Sequence, residues 1–444
     1  MTAIDQQTVV IGLGKTGLSV VEFFAAKGEP VLAMDTRENP PFAEEVREEY
    51  PEVGLHLGGL DGEVLKRCKR IVLSPGLSVK TPEIAAAIRE GVSVVGDTQV
   101  FADYAKAPIV AITGSNAKST VTTLVGEMAK DAGLNVAIGG NLGTPALELL
   151  NENVDLYVME LSSFQLETTP RLNAKVATVL NISPDHLDRY DSFEEYWKSK
   201  HQIFNGCEVA VVNRDDDKSA PIVEIDAKPI TFGLGIPEDG EFGIAKQNGN
   251  QYLAIDHQAL LDCKDLKIKG SHNRSNALAA LAIGHGAGLS LDSMITTLKD
   301  FPGLEHRCQW VGRHNGVDYF NDSKGTNVGA TEAAIEGLGP DLNGDIVLMA
   351  GGDGKGADFS YLLPSMKFVK TVVAYGRDKN KIQDALQGSV SVVIAEDFEQ
   401  AFSMAVQSAE GGDGILLSPA CASFDMFKSF EHRGEVFTAM VKSL

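Results

Sequence analysis

Residues Gly114-Ser115-Asn116-Ala117-Lys118-Ser119-Thr120 place a lysine and two hydroxyls directly behind a short polar loop. Such a group holds phosphate. Backbone N–H groups and the first turn of a following helix cradle the oxygens, Lys118 reaches the β/γ-phosphates of ATP, and the Ser119 hydroxyl faces Mg2+. The flanking residues suit that chemistry: Ile109–Thr113 is an apolar run of strand type, and Val121, Leu124, Val125 and Met128 recur on one helical face that Gly133 ends. Ala117 departs from the pattern, which has glycine before the lysine. Its Cβ predicts crowding at the phosphate or disfavoured backbone angles, and so weaker ATP binding or turnover.

Glu160 ends the run Tyr157–Met159, and a carboxylate at the carboxyl end of a neighbouring strand can share Mg2+ with Ser119. His186, in Asp185-His186-Leu187-Asp188-Arg189-Tyr190, reads as a ligand or substrate contact, or as an ordinary loop histidine. Lys200, in the helical run Glu194–Lys200, reads on its own as a solvated lysine. Near the N-terminus, Gly12-Leu13-Gly14-Lys15-Thr16-Gly17 follows Val9–Ile11 and matches GxGxxG, with Asp35 at the end of Val31–Met34. That pattern fits an NAD-dependent oxidoreductase, its acid on a ribose hydroxyl, and fits equally a plain tight turn. Ser74-Pro75-Gly76, after Ile71–Leu73, would line the same crevice.

The elements that must position these groups are short β-branched runs alternating with amphipathic stretches. Besides those above, Val176–Asn181, Val209–Asn213, Ile346–Ala350, Thr371–Tyr375 and Ile415–Ser418 read as buried parallel strands. The alternation predicts α/β domains with parallel sheets. The 444 residues suggest three of them, at about 150 residues each. Turn-rich stretches near Gly96–Pro108 and at Phe301-Pro302-Gly303 divide the chain into 1–97, 98–303 and 304–444. A formal net charge of -22 argues against a nucleic-acid partner. The polar start, the lack of a bilayer-length apolar run, and five scattered cysteines without a CxxC pair point to a reducing cytoplasm and no membrane insertion.

Taken in order, TGSNAKST (113–120), GGN (139–141), ELSSFQLE (160–167), DHLDRY (185–190), HNRSNALAALA (272–282), GLEHR (303–307), NDSKGTN (321–327), GGDGKGADFS (351–360) and LSPACASFDMFKSFEHRG (417–434) cover nearly the whole chain. Together they resemble the motifs of the Mur ligases. The GLGKTGLS start and the SPACASFDMFKSFEHRG end look like the D-glutamate-adding branch. The resemblance implies an N-terminal Rossmann-like domain that holds UDP in place of NAD, a central ATP-binding domain with a P-loop parallel sheet, and a C-terminal Rossmann-like domain that brings the amino acid. The implied reaction joins D-glutamate to the L-Ala carboxylate of UDP-N-acetylmuramoyl-L-alanine, through an acyl phosphate and a tetrahedral intermediate, in peptidoglycan precursor synthesis.

The same resemblance implies the site. Leu13, Thr16, Asp35, Thr36, Arg37, Ser74, Gly76, Asn141 and His186 would meet the UDP-sugar. Lys118, Arg307 and two Mg2+ would neutralise the reacting anions, with Ser119 and Glu160 on the first ion and His186 on the second. Lys200 matches a lysine that the family carbamylates, which would turn a cation into a metal ligand. Asn273, Asn276, Asp322 (on the ribose) and Lys324 would complete the ATP site, and Thr326, Lys355, Ser423 and Phe430 would hold D-glutamate. A monomer that closes its domains on its ligands is expected. The competing expectations are the same fold with ATP turnover impaired by Ala117, and the oxidoreductase suggested by GxGxxG.

Overall fold

Runs of Val, Ile, Leu and Ala too short for helices and apolar on both faces have one favourable home, the middle of a covered parallel sheet. The computed structural model describes residues 7–185, 189–222 and 229–444. The chain forms two compact units, one of 1–182, 186–231 and 280–294, the other of 183–185, 232–279 and 295–444.

The first unit holds two sheets. Strands β1 (Thr8–Ile11), β2 (Val31–Asp35), β3 (Gly54–Leu57), β4 (Arg70–Leu73) and β5 (Val94–Val95) lie in the order β3-β2-β1-β4-β5, all parallel. The order reverses at β1, which leaves a crevice between the loops after β1 and β4. In the second sheet β6 (Ile109–Thr113), wholly buried, lies between β8 (Leu156–Glu160) and β9 (Val176–Val179). β7 (Val136–Gly140) flanks β8, while β10 (Val209–Asn213) and then β11 (Ile230–Phe232) follow β9. The helix Lys118–Asp131 leaves the end of β6 and buries Val121, Leu124, Val125 and Met128, and Gly133 turns the chain at φ 87°.

The second unit begins with an antiparallel ladder, β12 (Glu241–Gln247), β13 (Asn250–Ile255) and β14 (Gln258–Asp262). The Asn248-Gly249 turn between the first two has both φ positive, 51° and 79°, as a two-residue hairpin requires. Its large sheet runs β15-β16-β20-β17-β18-β19, from β15 (Gln309–His314), β16 (Val317–Asn321), β17 (Ile346–Gly351), β18 (Val369–Tyr375), β19 (Ser391–Ile394) and β20 (Gly414–Leu417). Alternate residues feed opposite layers: Leu348, Ala350 and Leu416 pack with Ile335 and Leu362, whereas Val347, Met349, Ile415 and Leu417 pack with Phe398, Phe402 and Phe437. Expecting only parallel strands therefore missed two features, the ladder β12–β14 and the antiparallel pair β15–β16. The strand expected over Val176–Asn181 stops at Val179, because Asn181 turns to serve the loop after β6.

Candidate active site

The loop after β6 is held by its own neighbours. Lys118 Nζ donates to the carbonyls of Gly114 and Ser115, both at 2.9 Å, and Lys200 Nζ donates to the Gly114 carbonyl at 3.0 Å. Lys200 is thus not the solvated lysine its helix suggests; it is 2 % exposed, with its ammonium 4.8 Å from the Tyr196 ring centre. Tyr196 Oη and Ser115 Oγ share a hydrogen bond of 2.9 Å. Ser119 and Thr120 are buried in the first turn of the helix Lys118–Asp131. Ala117 has φ 65° and ψ -4°, the left-handed region, so the expected conflict is one of backbone angles.

Glu160 lies on the next strand, its residue paired with Ile112. It is 2 % exposed, and only one of its carboxylate oxygens is used: Oε1 accepts from Asn141 Nδ2 at 2.7 Å, while Oε2 is buried with no hydrogen-bond partner. A buried carboxylate oxygen without a partner is costly unless a cation meets it. A carboxylate and the Ser119 hydroxyl are both oxygen donors of the kind that suits Mg2+. Asn141, expected on the UDP-sugar, is therefore first a support for Glu160, and its backbone N–H also donates to the Glu160 carbonyl at 2.8 Å. His186 lies outside the described residues.

Each GxGxxG glycine has a distinct reason. Gly12 has φ 97°, and a Cβ there would stand 2.7 Å from Ser74 Cβ; on Gly17 it would meet the Gly12 carbonyl oxygen at 1.7 Å. A Cβ on Gly14 would have nothing within 4 Å, and as N-cap of the helix Lys15–Ala26 Gly14 leaves that helix end without a side-chain cap. This is an open N-terminus that suits a phosphate group. Asp35 is spent internally: Oδ2 accepts from Leu13 N–H at 2.7 Å, and Arg37 closes on both oxygens at 2.9 and 2.7 Å. Burial alone would raise the Asp35 carboxyl, but the Arg37 side chain and the Leu13 and Arg37 N–H groups outweigh it and hold the group down at about 2. Thr36 and Arg37 are exposed, Thr16 and Ser74 half-buried, and Gly76 exposed.

In the second unit, Asn276 Nδ2 donates to Asn273 Oδ1 at 3.1 Å, and Asn273 Nδ2 to the Lys269 carbonyl at 2.8 Å. Arg307 sits between two left-handed residues, His306 (φ 62°) and Cys308 (φ 48°). Asp322 accepts from Cys308 N–H at 3.0 Å and from Ser418 Oγ at 2.6 Å, and burial pushes its carboxyl up to about 7 against those bonds. Lys324 Nζ stands 3.8 Å from the Phe430 ring centre, which joins two of the expected residues; Thr326 N–H donates to the Lys324 carbonyl. Ser423 is buried, and Lys355 is exposed on a left-handed turn with φ 51°.

Three residues escaped the sequence reading. Asn181 bonds the backbone of Asn116. Arg189 donates to the Leu77 carbonyl at 2.9 Å and stacks 4.6 Å from the Phe164 ring centre, tying the loop after β4 to the second sheet. Arg433, fully buried, donates to Ser323 Oγ and O and to the Cys421 carbonyl, at 2.9, 2.7 and 3.2 Å. The two arginines stood inside quoted motifs, but an arginine that braces carbonyls leaves no periodic trace.

A nucleotide loop, a buried carboxylate beside it and an open helix end at a strand-order crevice define a phosphate-handling α/β enzyme. The chain belongs to the Mur ligase family: it matches the Mur ligase MurD-like N-terminal domain over residues 6–96, the Mur ligase middle domain over 112–284 and the Mur ligase glutamate ligase domain over 306–421. A relative from Pseudomonas savastanoi pv. phaseolicola, 53 % identical over 99 % of this chain and 98 % of its own length, is a UDP-N-acetylmuramoylalanine–D-glutamate ligase. Relatives of the same name from Pseudomonas aeruginosa (53 % identical, 100 % of this chain and 99 % of theirs) and Hahella chejuensis (49 %, 100 % and 99 %) are similar as well. Among solved structures, a pseudomurein peptide ligase type C from Methanothermus fervidus shares the fold at TM-score 0.62 and 19 % identity, covering 99 % of each chain. MurF from Acinetobacter baumannii does so at 0.62 and 20 %, covering 98 % of this chain and 90 % of its own.

Proposed function

We propose that this chain is an ATP-dependent ligase that joins D-glutamate to the L-Ala carboxylate of UDP-N-acetylmuramoyl-L-alanine, in peptidoglycan precursor synthesis. The observation that carries this reading is the 53 % identity, over 99 % of the chain, to a ligase of that name. Divisions at 1–97, 98–303 and 304–444 would assign the UDP-sugar, ATP and D-glutamate to successive domains. A carboxylate is a poor electrophile, so one of its oxygens first takes the γ-phosphoryl group of ATP and ADP departs. The D-glutamate amine then attacks the carbonyl carbon, loses a proton, and phosphate leaves with that oxygen from the tetrahedral intermediate.

In this reading Lys118 and the loop N–H groups hold the phosphates, and Arg307 adds charge on the transferring group. Bound Mg2+ would neutralise phosphate charge, held by Ser119 and Glu160, with His186 and Lys200 toward a second ion. Asn273, Asn276, Asp322 and Lys324 bind ATP. Leu13, Thr16, Asp35, Thr36, Arg37, Ser74, Gly76 and Asn141 line the UDP-sugar crevice. Thr326, Lys355, Ser423 and Phe430 receive D-glutamate. Lys200 works as a carbamate, whose remaining N–H keeps the bond to Gly114. An intact mass that gains one carboxyl group in bicarbonate supports this, and an unchanged mass overturns it. The enzyme acts as a monomer in the cytoplasm; among the described residues no helix is long and apolar enough to cross a membrane. The function is tested by phosphate release from ATP in the presence of Mg2+. Release that needs both UDP-N-acetylmuramoyl-L-alanine and D-glutamate is expected, and release indifferent to either contradicts the proposal.

A further inference from the structure

Asn116 and Ala117 form the bend of the phosphate loop, and Ala117 stands in a backbone region where a Cβ is unfavourable. Such a conformation persists only where its surroundings over-determine it. Lys118, Lys200 and Tyr196 hold Gly114 and Ser115, and Asn181 holds the backbone of Asn116 itself. Asn181 Oδ1 accepts the Asn116 N–H at 2.8 Å, and Asn181 Nδ2 donates to the Asn116 carbonyl at 3.2 Å. The Asn181 carbonyl also accepts from Ser115 N–H at 2.9 Å. An amide side chain carries an acceptor and a donor on separate atoms, so it can satisfy the donor and the acceptor of one residue together. Both torsions adjoining Asn116 are thereby fixed, immediately before the left-handed residue.

The clamp is itself anchored. Leu180 N–H donates to the Thr113 carbonyl at 2.9 Å, Asn213 Nδ2 to the Leu180 carbonyl at 2.9 Å, and Ile182 N–H to Asp216 Oδ2 at 2.7 Å. Asn213 is buried and braced in turn by buried Ser219, whose hydroxyl accepts from its N–H at 3.1 Å. Asn181 therefore sits between Leu180, fixed to β6 and β10, and Ile182, fixed to the turn after β10.

We propose that Asn181 is a positioning residue for the nucleotide: it holds the phosphate loop in its binding shape and offsets the strain of Ala117. This rests on the ATP-dependent ligase reading, and the experiment separates the two. Asn181→Ala and Asn181→Asp are made in the native chain and in Ala117→Gly. Hydrogen exchange at the Asn116 amide is followed without nucleotide, and KM is measured for each substrate. Asn181→Ala is expected to expose the Asn116 amide and to raise KM for ATP about tenfold, the loss of two modest hydrogen bonds. The KM values for the UDP-sugar and D-glutamate should stay within about twofold, since neither touches the clamp. Asn181→Asp keeps the acceptor and is expected to keep the amide protected. In Ala117→Gly, where the left-handed angle is free of strain, the ATP penalty should shrink to about threefold or less. An Asn116 amide equally protected in Asn181→Ala, or an ATP penalty of the same size in both backgrounds, would overturn the clamp. Absence of ATP binding in the native chain and in Ala117→Gly alike would instead sink the ligase reading, while the amide exchange still decides the clamp.

Discussion

Ala117 illustrates how one residue type can be legible and still misjudged. Its departure from glycine is visible in the sequence, but only the φ of 65° shows that the cost lies in the backbone. Of the non-glycine residues with positive φ among those described, Asn173, Asn248, Asp256 and Asn315 are of the types that tolerate it. His306 is also of a tolerant type, and the others, Ala117, Cys308, Lys355 and Ala420, all lie in or directly beside the motif loops. Strain has collected where ligands are expected. Ala117→Gly should raise the unfolding free energy by roughly 0.5–1 kcal/mol, the left-handed penalty less glycine's extra unfolded freedom. An unchanged urea midpoint would mean the loop has already relaxed the strain. The Asp35 and Asp322 carboxyls give opposite pH signs. Asp35, held at about 2, lies below its unfolded value of about 3.9. Its stabilisation, roughly 2 kcal/mol before allowing for the exposed Arg37, is present above that value and is lost as pH falls from about 4 to about 2. Asp322, raised to about 7, favours the fold most below its unfolded value, and that advantage is lost as pH rises through about 7. Asp35→Asn should flatten the acid limb of a pH–stability curve, and Asp322→Asn the limb between about 4 and about 7. Curves that keep their slopes would refute these assignments.

Elements were read best where composition and periodicity agree. β6 and β10 have the bounds expected from their apolar runs, because a strand covered on both faces leaves little choice of residue. The ladder β12–β14 carries a hairpin signature in Asn248-Gly249, but its half-exposed strands have no continuous apolar run to mark them. GxGxxG was read correctly as a turn and ambiguously as a ligand site, because its glycines report geometry and say nothing of which diphosphate comes. Two substitutions separate those roles. Gly17→Ala drives a Cβ into the Gly12 carbonyl and should cost about 3 kcal/mol of stability. Gly14→Ala enters open space; it should leave the melting temperature nearly unchanged and raise KM for the UDP-sugar severalfold. Equal stability losses in both would contradict the distinction.

For the whole molecule, ordered motifs said more than any single loop, since a three-domain arrangement is specified by many weak local signals that agree. What the sequence withheld was the bracing: Asn181, Arg189 and Arg433 act on backbone carbonyls and amides supplied by distant segments. The residues proposed for ATP and D-glutamate are spread over successive domains, so ligands are expected to reduce the radius of gyration in solution scattering; identical profiles with and without them would contradict closure. The central claim is that ATP activates the L-Ala carboxylate for attack by D-glutamate. Its most direct test is to label that carboxylate with oxygen-18 and analyse the inorganic phosphate released during turnover. The account predicts one labelled oxygen in the phosphate for each amide formed. Unlabelled phosphate, with product accumulating, would contradict activation by phosphoryl transfer to the carboxylate.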